Sequence, residues 1–314
     1  MTPTTELANP VGSTLEQIEV VVGQHELVVV LDVDAAPGLT SALLRALPHS
    51  SLAVHCQTAG AEFCVPVPFF HWHENRRPPT SGEVGYASFG NYLCFYYGPM
   101  VAMDGPTNVI GRLSSSAHAL EALGALLLKT GAQMANIQNH ARPGTESASL
   151  PPFPSRTTAL ARMSRTLLES SLASPPEDIA HLRGVKLPAM GNMAGRLQAS
   201  VLLLSLSEAL INARTLAPDF PHALPTVVAC LVAQMGRYSR WLAMAGLPAT
   251  AAWLEITRDV LRDETLRADE FVAGLEEALV AIGRLRFWAE AVSPWHRVTE
   301  DYAAESNWTN HALP

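Results

Sequence analysis

The spacing of apolar residues divides the chain into a first part with strand-like patterns and a second part with helical patterns. In the first part, short runs rich in Val, Ile and aromatic residues alternate with Gly-containing turns, as is typical of β-strands. One amphipathic helix begins at Pro37 and a second begins near Ser116. The predicted strands are Leu15–Val22, Glu26–Val33, Leu52–Gln57, Glu62–Val67, Glu83–Ala87, Tyr92–Tyr97 and Thr107–Leu113.

The second part is separated by segment 136–154, which is polar and rich in Pro, Ser and Gly, as linkers are. Short strands at regular spacing favour a closed barrel over an open parallel sheet. We therefore predict an α+β protein with a barrel domain over residues 1–140 and an all-helical domain over residues 155–314. The predicted helices of the second domain are Thr157–Leu172, Met193–Leu216, Ala223–Gly246, Thr250–Asp263 and Ala268–Ala291.

The composition restricts the partners. A chain with 48% hydrophobic and 16% charged residues is typical of compact globular proteins. The formal net charge of -8 argues against nucleic acid, because binding to phosphates needs a basic surface. The N-terminal residues lack the features of a signal peptide, and no apolar run approaches the length of a membrane span. We expect a cytoplasmic protein without a membrane or nucleic-acid partner.

The cysteines and histidines do not have the spacing of a metal site. Cys56, Cys64, Cys94 and Cys230 form no CxxC motif, so we predict reduced, buried thiols and no bound metal. Cys56 and Cys64 could face one another across a hairpin, but a reducing cytosol disfavours a disulfide there. His71 and His73 would share one strand face, yet no acid and distant His follow at the spacing of cupin ligands.

The densest cluster of polar and aromatic residues is segment 69–99, and part of it resembles a known family. The stretch SGEVGYASFGNYLCFYYGP resembles the signature of minimal bacterial cyclophilin-like proteins, and Asn108–Leu113 resembles the closing strand of that family. This resemblance covers about the first 130 residues and implies a cyclophilin-like barrel. The chain departs from the usual pattern with Glu at position 83 and with no proline-rich turn after Tyr86. The matching residues are Gly82, Glu83, Val84, Tyr86, Gly90, Asn91, Phe95, Tyr96, Tyr97 and Gly98.

A cyclophilin-like barrel does not imply prolyl isomerase activity, and the residues around Phe63 do not reproduce the isomerase arrangement. A barrel fused to a helical domain is similar instead to bacterial Pictet-Spengler enzymes of the marinacarboline type, which form β-carbolines from tryptophan and a carbonyl compound. It is also similar to the cucumopine and mikimopine synthases, which close a ring on histidine with a keto acid. In the first group a strand glutamate preceded by a histidine is the acid/base residue, and Glu83 with His73 matches that order.

The resemblance implies a Pictet-Spenglerase that condenses an aromatic amino acid, with tryptophan favoured, with an aldehyde or keto acid. A condensation of histidine with a 2-keto acid, and a small-ligand-binding protein without turnover, remain as alternatives. The reaction needs a general base near a cationic intermediate, and a carboxylate can both stabilise that cation and accept the proton. It needs no nicotinamide or flavin, and the sequence has neither GxGxxG nor GxxxxGK[ST], so we predict no cofactor.

The predicted catalytic residues are Glu83 and His73. Either arginine of the pair Arg76-Arg77 could clamp a substrate carboxylate, although Glu83 could instead form an ion pair with one of them. Four tyrosines could stack an indole or imidazole, namely Tyr86, Tyr92, Tyr96 and Tyr97. Alternation along a strand sends Tyr96 and Tyr97 to opposite faces, so at most one of these two lines the site. The predicted substrate-binding residues are Arg76, Arg77, His71, Tyr86, Phe95 and Tyr97.

The helical part also carries an unusual number of tryptophans. An excess of apolar and aromatic surface on a small bundle favours a homodimer, since obligate interfaces resemble the interior of a protein. The residues concerned are Trp241, Trp253, Trp288 and Trp295.

Overall fold

A computed structural model of the chain describes nine segments. They are residues 16–56, 60–100, 106–114, 117–140, 158–172, 174–182, 189–219, 221–263 and 266–292. The predicted linker beyond residue 140 and Trp295 therefore lie outside the described residues.

The first part of the chain forms a closed antiparallel barrel. Eight strands follow one another around it in the order β2-β1-β9-β3-β4-β7-β6-β8, and pairing of β2 with β8 closes the ring. The two-residue strand β5 pairs with the outer edge of β8. The strands are β1 Gln17–Val22, β2 His25–Leu31, β3 His49–Cys56, β4 Gly60–Pro66, β5 Arg76–Arg77, β6 Glu83–Ala87, β7 Tyr92–Met100, β8 Thr107–Leu113 and β9 Gln133–Asn139.

Strict alternation explains why these segments are strands. In β1, Ile18, Val20 and Val22 are fully buried in the barrel interior while the residues between them are partly exposed. Helix α1, Pro37–Arg45, covers one end of the interior with Leu39 and Leu43. Helix α2, Ala117–Thr130, contributes Leu120, Leu123 and Leu127 to the same core.

Strand β9 corrects the predicted linker, because residues 136–139 belong to a strand and not to a loop. The segment reads QMANIQN, in which Gln and Asn are poor strand formers, so composition favoured a loop. Tertiary pairing decides otherwise: β9 lies between β1 and β3, and Ala135 and Ile137 fill the interior. Without this strand the barrel would remain open.

The second part is helical. Leu160, Leu203, Leu206, Phe271 and Leu275 belong to a core separate from that of the barrel. Sequence analysis did not predict the short helix α4 or the early start of α5. The helices are α3 Ala159–Ser170, α4 Glu177–His181, α5 Ala189–Asp219, α6 Leu224–Met244, α7 Pro248–Asp263 and α8 Ala268–Val292, with a 3-10 turn at Pro221–Ala223.

Helix α8 connects the helices to the barrel. Asn91 donates a hydrogen bond from its side chain to the Leu279 carbonyl at 2.7 Å. A Cβ at Gly283 would lie 2.5 Å from the Gly90 carbonyl oxygen, so glycine permits this close approach. Phe287 of α8 packs on Tyr92 of β7. Because this contact is intimate, the division at residues 1–140 and 155–314 stays a prediction.

One segment of α5, Ala199–Asp219, is long and apolar enough to cross a membrane by length and composition alone. This corrects the expectation that no stretch approaches that length. Leu203, Leu206 and Leu210 of this segment are buried in the helical core, as in a core helix that packs against its neighbours. The finding is therefore weak evidence for a membrane span.

Apolar side chains remain exposed on α6 and α7. Met244 is 84% exposed, Ile256 is 58% exposed and Trp241 is 44% exposed, whereas Trp288 is buried in the helical core. Isolated exposed apolar residues are common on protein surfaces. The homodimer stays a prediction.

Candidate active site

A cavity of about 210 Å³ lies on the outer face of the barrel, where strands β6, β7 and β8 meet the segment before β5 and helix α5. Five of its fourteen lining residues are Phe, Tyr or Trp, and most of the others carry polar side chains. The lining residues are Trp72, His73, Arg76, Tyr86, Ala87, Ser88, Phe89, Tyr92, Cys94, Tyr96, Pro106, Thr107, Asn108 and Ile211.

Strand alternation in β7 produces the floor of this cavity. Tyr92, Cys94 and Tyr96 point outward, whereas Leu93 and Phe95 point into the barrel core. Burial beside Cys94 and Glu62 raises the pKa of the Tyr96 phenol, so this hydroxyl stays protonated. The floor therefore offers aromatic surface to a ligand.

Asn108 holds the segment that forms one wall. Its amide nitrogen donates to the Tyr86 carbonyl at 2.9 Å and to the Ser88 hydroxyl at 3.0 Å, and its amide oxygen accepts from the Glu74 backbone N–H at 3.0 Å. Glu74 in turn accepts from the first backbone N–H groups of α1. These bonds fix the position of Trp72 and His73 above the floor.

His73 and Arg76 form the polar side of the cavity. Arg76 Nη1 lies 3.2 Å from His73 Nε2, and its Nε donates to the Pro106 carbonyl. A guanidinium only donates hydrogen bonds, so Nε2 of this imidazole is unprotonated. Burial, and then the charge of Arg76, lower the pKa of His73 below 6.5. The imidazole is thus neutral at pH 7 and can accept a proton.

Glu83 lies outside the residues that line the cavity, in an ion pair with Arg77. The two guanidinium nitrogens Nη1 and Nη2 donate to the carboxylate at 2.9 and 2.6 Å, and the Thr80 backbone N–H donates at 2.8 Å. The Arg77 contact, supported by Thr80, lowers the pKa of Glu83 to about 2. At neutral pH this carboxylate is a weak base.

Two further arginines lie behind the aromatic walls. Arg214 stacks over Phe70 and Trp72 at 5.1 Å and pairs with Glu276. Arg286 lies 5.6 Å from the ring of Phe89 and 5.9 Å from that of Tyr92, and it pairs with Glu290. Each of these cations has an acidic partner. Among the described residues, Arg76 forms no ion pair with an acid, so it is the cation best placed for an anionic ligand.

The structure brings together three of the predicted site residues at the cavity, namely His73, Arg76 and Tyr86. The Tyr86 ring stacks on Phe69 in the barrel core, and its hydroxyl contacts Asn91 and the Phe69 carbonyl. Arg77 and Glu83 form the ion pair described above.

His71, Phe95 and Tyr97 lie elsewhere. His71 is 3.3 Å from Glu74, near the start of α1. Phe95 stacks on Phe63 inside the barrel with ring centroids 4.8 Å apart. The Tyr97 hydroxyl contacts His55, on the opposite face from Tyr96. These placements do not favour substrate contact, and the assigned roles stay predictions.

Sequence reasoning missed most of the walls. Sequence analysis names Tyr92 and Tyr96 as possible stacking residues but assigns Tyr97 to the site in their place. Strand alternation in β7 could have selected Tyr92, Cys94 and Tyr96 together, because Leu93 is a core residue of the same strand. The polar Asn108 at the start of the closing strand was a second usable signal. Nothing in the sequence indicates that Ile211, more than one hundred positions away on α5, reaches this cavity.

Fold and site together define a closed eight-stranded barrel joined to a helical bundle, with a small ligand-sized cavity between them. Among solved structures, the chain is similar to McbB in complex with tryptophan, with a TM-score of 0.71 and 18% identity over 91% of this chain and 99% of that chain. This likeness confirms the predicted fold class, a barrel followed by helices.

A second solved structure, the hypothetical protein AF2241 from Archaeoglobus fulgidus, has a TM-score of 0.34 and 21% identity, and it covers 41% of this chain and 98% of that chain. A likeness at this level supports no conclusion. No protein-family model and no curated protein sequence matches the chain.

Proposed function

We propose that the protein is a Pictet-Spenglerase that condenses an aromatic amino acid, with tryptophan favoured, with an aldehyde or keto acid in the cavity beside His73 and Arg76. The observation that carries the proposal is the pairing of a neutral imidazole with an arginine on one side of an aromatic cavity. The fold likeness to McbB, whose structure contains tryptophan, supports the same substrate class. The sequence resemblance to marinacarboline-type enzymes supports the same reaction class.

The cavity has the chemistry to hold an amino acid. Its volume of about 210 Å³ is below the roughly 300–1,000 Å³ of drug-sized ligand sites, so a small molecule suits it. Arg76 can pair with a carboxylate through two parallel hydrogen bonds. Trp72 is partly exposed and offers a ring against which an indole can stack, while the nearly buried Tyr92 and Tyr96 line the floor beneath it. One end of the substrate is thus held by charge and the other by aromatic contact.

The proposed reaction uses His73 as the base. The amine attacks the carbonyl carbon and water leaves, which forms an iminium ion. The electron-rich ring then attacks the iminium carbon, and a ring carbon carries one proton too many. His73 takes that proton from the ring carbon, and the electrons of the C–H bond restore aromaticity. The product equals both substrates less one water.

The acid/base role of Glu83 stays a prediction. In the described arrangement its carboxylate accepts three hydrogen bonds and its pKa is about 2, so proton transfer to it requires that Arg77 first moves away. Glu83 lies on the same outward face of the barrel as Ala87, two pleats along β6. A movement of Arg77 would therefore free a carboxylate that lies on the same face of the barrel as the cavity floor.

The test is to incubate purified protein with tryptophan or histidine and a panel of aldehydes and 2-keto acids, without added cofactors. We expect a product with the mass of both substrates less one water, formed faster than without protein and with one stereoisomer in excess. The stereochemical readout matters because the uncatalysed reaction gives the same mass. A product from histidine only would support the cucumopine-like alternative and correct the substrate.

A calorimetric titration with tryptophan distinguishes an enzyme from a protein that binds the ligand without turnover. Binding without product from any carbonyl compound would favour a ligand-binding protein and overturn the proposed activity. Absence of both binding and product would overturn the site as well.

A further inference from the structure

A cluster of three metal-ligating side chains lies on the outward face of strands β4 and β7. Cys64 and Cys94 are directly opposite one another across these strands, and Glu62 faces Tyr96 one pair further along. All three side chains are buried, with 1–2% exposure. Because residues two apart in a strand share a face, this register places both thiols and the carboxylate side by side.

Two of the three distances between the potential ligand atoms are known, and both match tetrahedral coordination of one ion. The sulfurs of Cys64 and Cys94 are 3.9 Å apart, and Cys64 Sγ is 3.8 Å from Glu62 Oε1. The three ligand atoms all lie within 4.8 Å of one another. In a tetrahedral zinc site, Zn–S bonds of about 2.3 Å separate two sulfurs by about 3.8 Å, and a sulfur and a carboxylate oxygen by about 3.6 Å.

The donor set selects the kind of metal. Thiolates favour zinc and other thiophilic ions over magnesium and calcium, which take oxygen ligands. Three protein ligands leave one position for water or for a small molecule, as in zinc sites that are not fully closed. Cys94 also lines the cavity described above, so an ion bound here would lie at the cavity floor.

We propose that Glu62, Cys64 and Cys94 form a zinc-binding site. This inference is independent of the proposed condensation, since it rests only on the spacing and chemistry of these three side chains. It changes the expectation from cysteine spacing, which predicted no metal because the two thiols are thirty residues apart in the chain. Strand register, which sequence spacing does not reveal, brings them together.

The experiment measures zinc binding to the full chain after removal of any affinity tag. The apoprotein is reduced, titrated with zinc in competition with a chelating dye, and analysed for bound metal. We expect one zinc per chain, an affinity that increases with pH because the thiols must lose protons, and cobalt binding with a thiolate charge-transfer absorption. Cys64→Ser and Cys94→Ser should each weaken binding by at least about 100-fold, since loss of an outer-shell partner alone costs 10–100-fold.

Cys230→Ser is the matched control, because Cys230 is an exposed cysteine on helix α6 and not on the barrel strands that hold the cluster. Its zinc affinity should equal that of the wild type. Glu62→Gln keeps the size of the side chain, and we expect weaker zinc binding with the cobalt–thiolate absorption retained. Equal zinc affinity in the wild type and in Cys64→Ser or Cys94→Ser, or affinity that only Cys230→Ser reduces, would overturn the proposal.

A second measurement on the wild type avoids the problem of a variant that fails to fold. Cysteine alkylation is mapped by mass spectrometry with and without one equivalent of zinc. Zinc should protect Cys64 and Cys94 and leave the labelling of Cys230 unchanged. Equal labelling of Cys94 in both samples, under conditions that label it without zinc, would overturn the site.

Discussion

Arg76 and Arg77 are neighbours in β5, yet they occupy different environments. Arg77 is held by Glu83, whose carboxylate is 8% exposed and also accepts the Thr80 N–H. Arg76 instead contacts a neutral imidazole and a backbone carbonyl. Adjacent strand residues point to opposite sides, so one arginine enters the ion pair while the other reaches the cavity.

This difference shows how one arginine can stabilise the fold while its neighbour keeps a charge that can bind an anionic ligand. A guanidinium that is neutralised by a carboxylate has little attraction left for an anionic ligand. A guanidinium beside a neutral histidine keeps its charge and also keeps that histidine unprotonated. In the proposed function the His73–Arg76 pair provides both a base and an anion site, whereas the Glu83–Arg77 pair contributes stability.

The largest expected effect is that of His73→Gln on turnover. Loss of the base should lower kcat by about 10²–10⁴-fold, while the dissociation constant for tryptophan changes little. Product formation by mass and calorimetric binding measure the two quantities. His71→Gln is the matched comparison, since His71 lies beside Glu74 and not at the cavity. If His71→Gln lowers kcat as much as His73→Gln, the loss is not specific to His73, and the His73–Arg76 pair is not the source of the base.

Arg76→Gln should act on substrate binding. A hydrogen bond to a charged group contributes roughly 1.5–3 kcal/mol, so we expect KM for the amino acid to rise about 10- to 100-fold. Arg76→Lys should restore part of this loss, because lysine keeps the charge but not the planar fork. Arg77→Gln should leave KM nearly unchanged and lower the stability instead. A larger rise in KM for Arg77→Gln than for Arg76→Gln would show that Arg77, and not Arg76, binds the substrate anion.

The fold could be predicted from the sequence further than the site could. Alternating Val and Ile residues sufficed to predict β1 and β2, and Pro37 marked the start of α1. Strand β9 could not be recognised, because its Gln and Asn residues resemble a loop and only pairing with β1 and β3 makes it a strand. A pattern along the chain contains no information about which distant strand supplies a partner.

Sequence analysis could predict the part of the candidate site whose residues come from one short segment of the chain. His73 and Arg76 lie three positions apart, and both reach the cavity. The outcome for Glu83 depended on which of two adjacent arginines faces it, which sequence reasoning left open. The aromatic floor required the direction of β7, and Ile211 required the packing of α5 on the barrel. Tertiary packing therefore decided most of the walls.

Glu83→Gln tests the other pair through stability. The pKa of Glu83 is about 2 in the folded protein, below its ordinary value of 4.5, so the ion pair stabilises the fold above pH 4.5 and this contribution is lost as the pH falls toward 2. After a discount for the 40% exposure of Arg77, we expect Glu83→Gln to lower the free energy of unfolding by about 1–2 kcal/mol at pH 7.

Urea unfolding at pH 7, 4.5 and 2.5 measures this difference. The gap between wild type and Glu83→Gln should narrow as the pH falls, because protonation of Glu83 removes the charge that the variant lacks. A constant gap would show that the ion pair is not its source. If turnover by folded Glu83→Gln instead falls by about 10²–10⁴-fold, the predicted acid/base role of Glu83 is confirmed. The Glu83–Arg77 pair would then be the catalytic one of the two pairs.

The smallest expected effect concerns the pH dependence of catalysis. The proposed reaction requires neutral His73, so kcat/KM should fall as the pH decreases through the pKa of His73, which lies below 6.5. Arg76 is one cause of that low pKa, and its removal should raise the pKa of His73 and move the acid limb of the profile to higher pH. kcat/KM is the appropriate quantity because it reports the free enzyme, in which no substrate carboxylate neutralises Arg76.

Since exposed charge pairs contribute at most about 1 kcal/mol, the pH-dependent loss at pH 6 in Arg76→Gln should be no more than about fivefold. The substrate titrates in the same way with Arg77→Gln as with the wild type. The acid limb of the kcat/KM profile of Arg77→Gln should therefore coincide with that of the wild type. An acid limb that shifts in Arg77→Gln and stays in place in Arg76→Gln would show that His73 is not the titrating base.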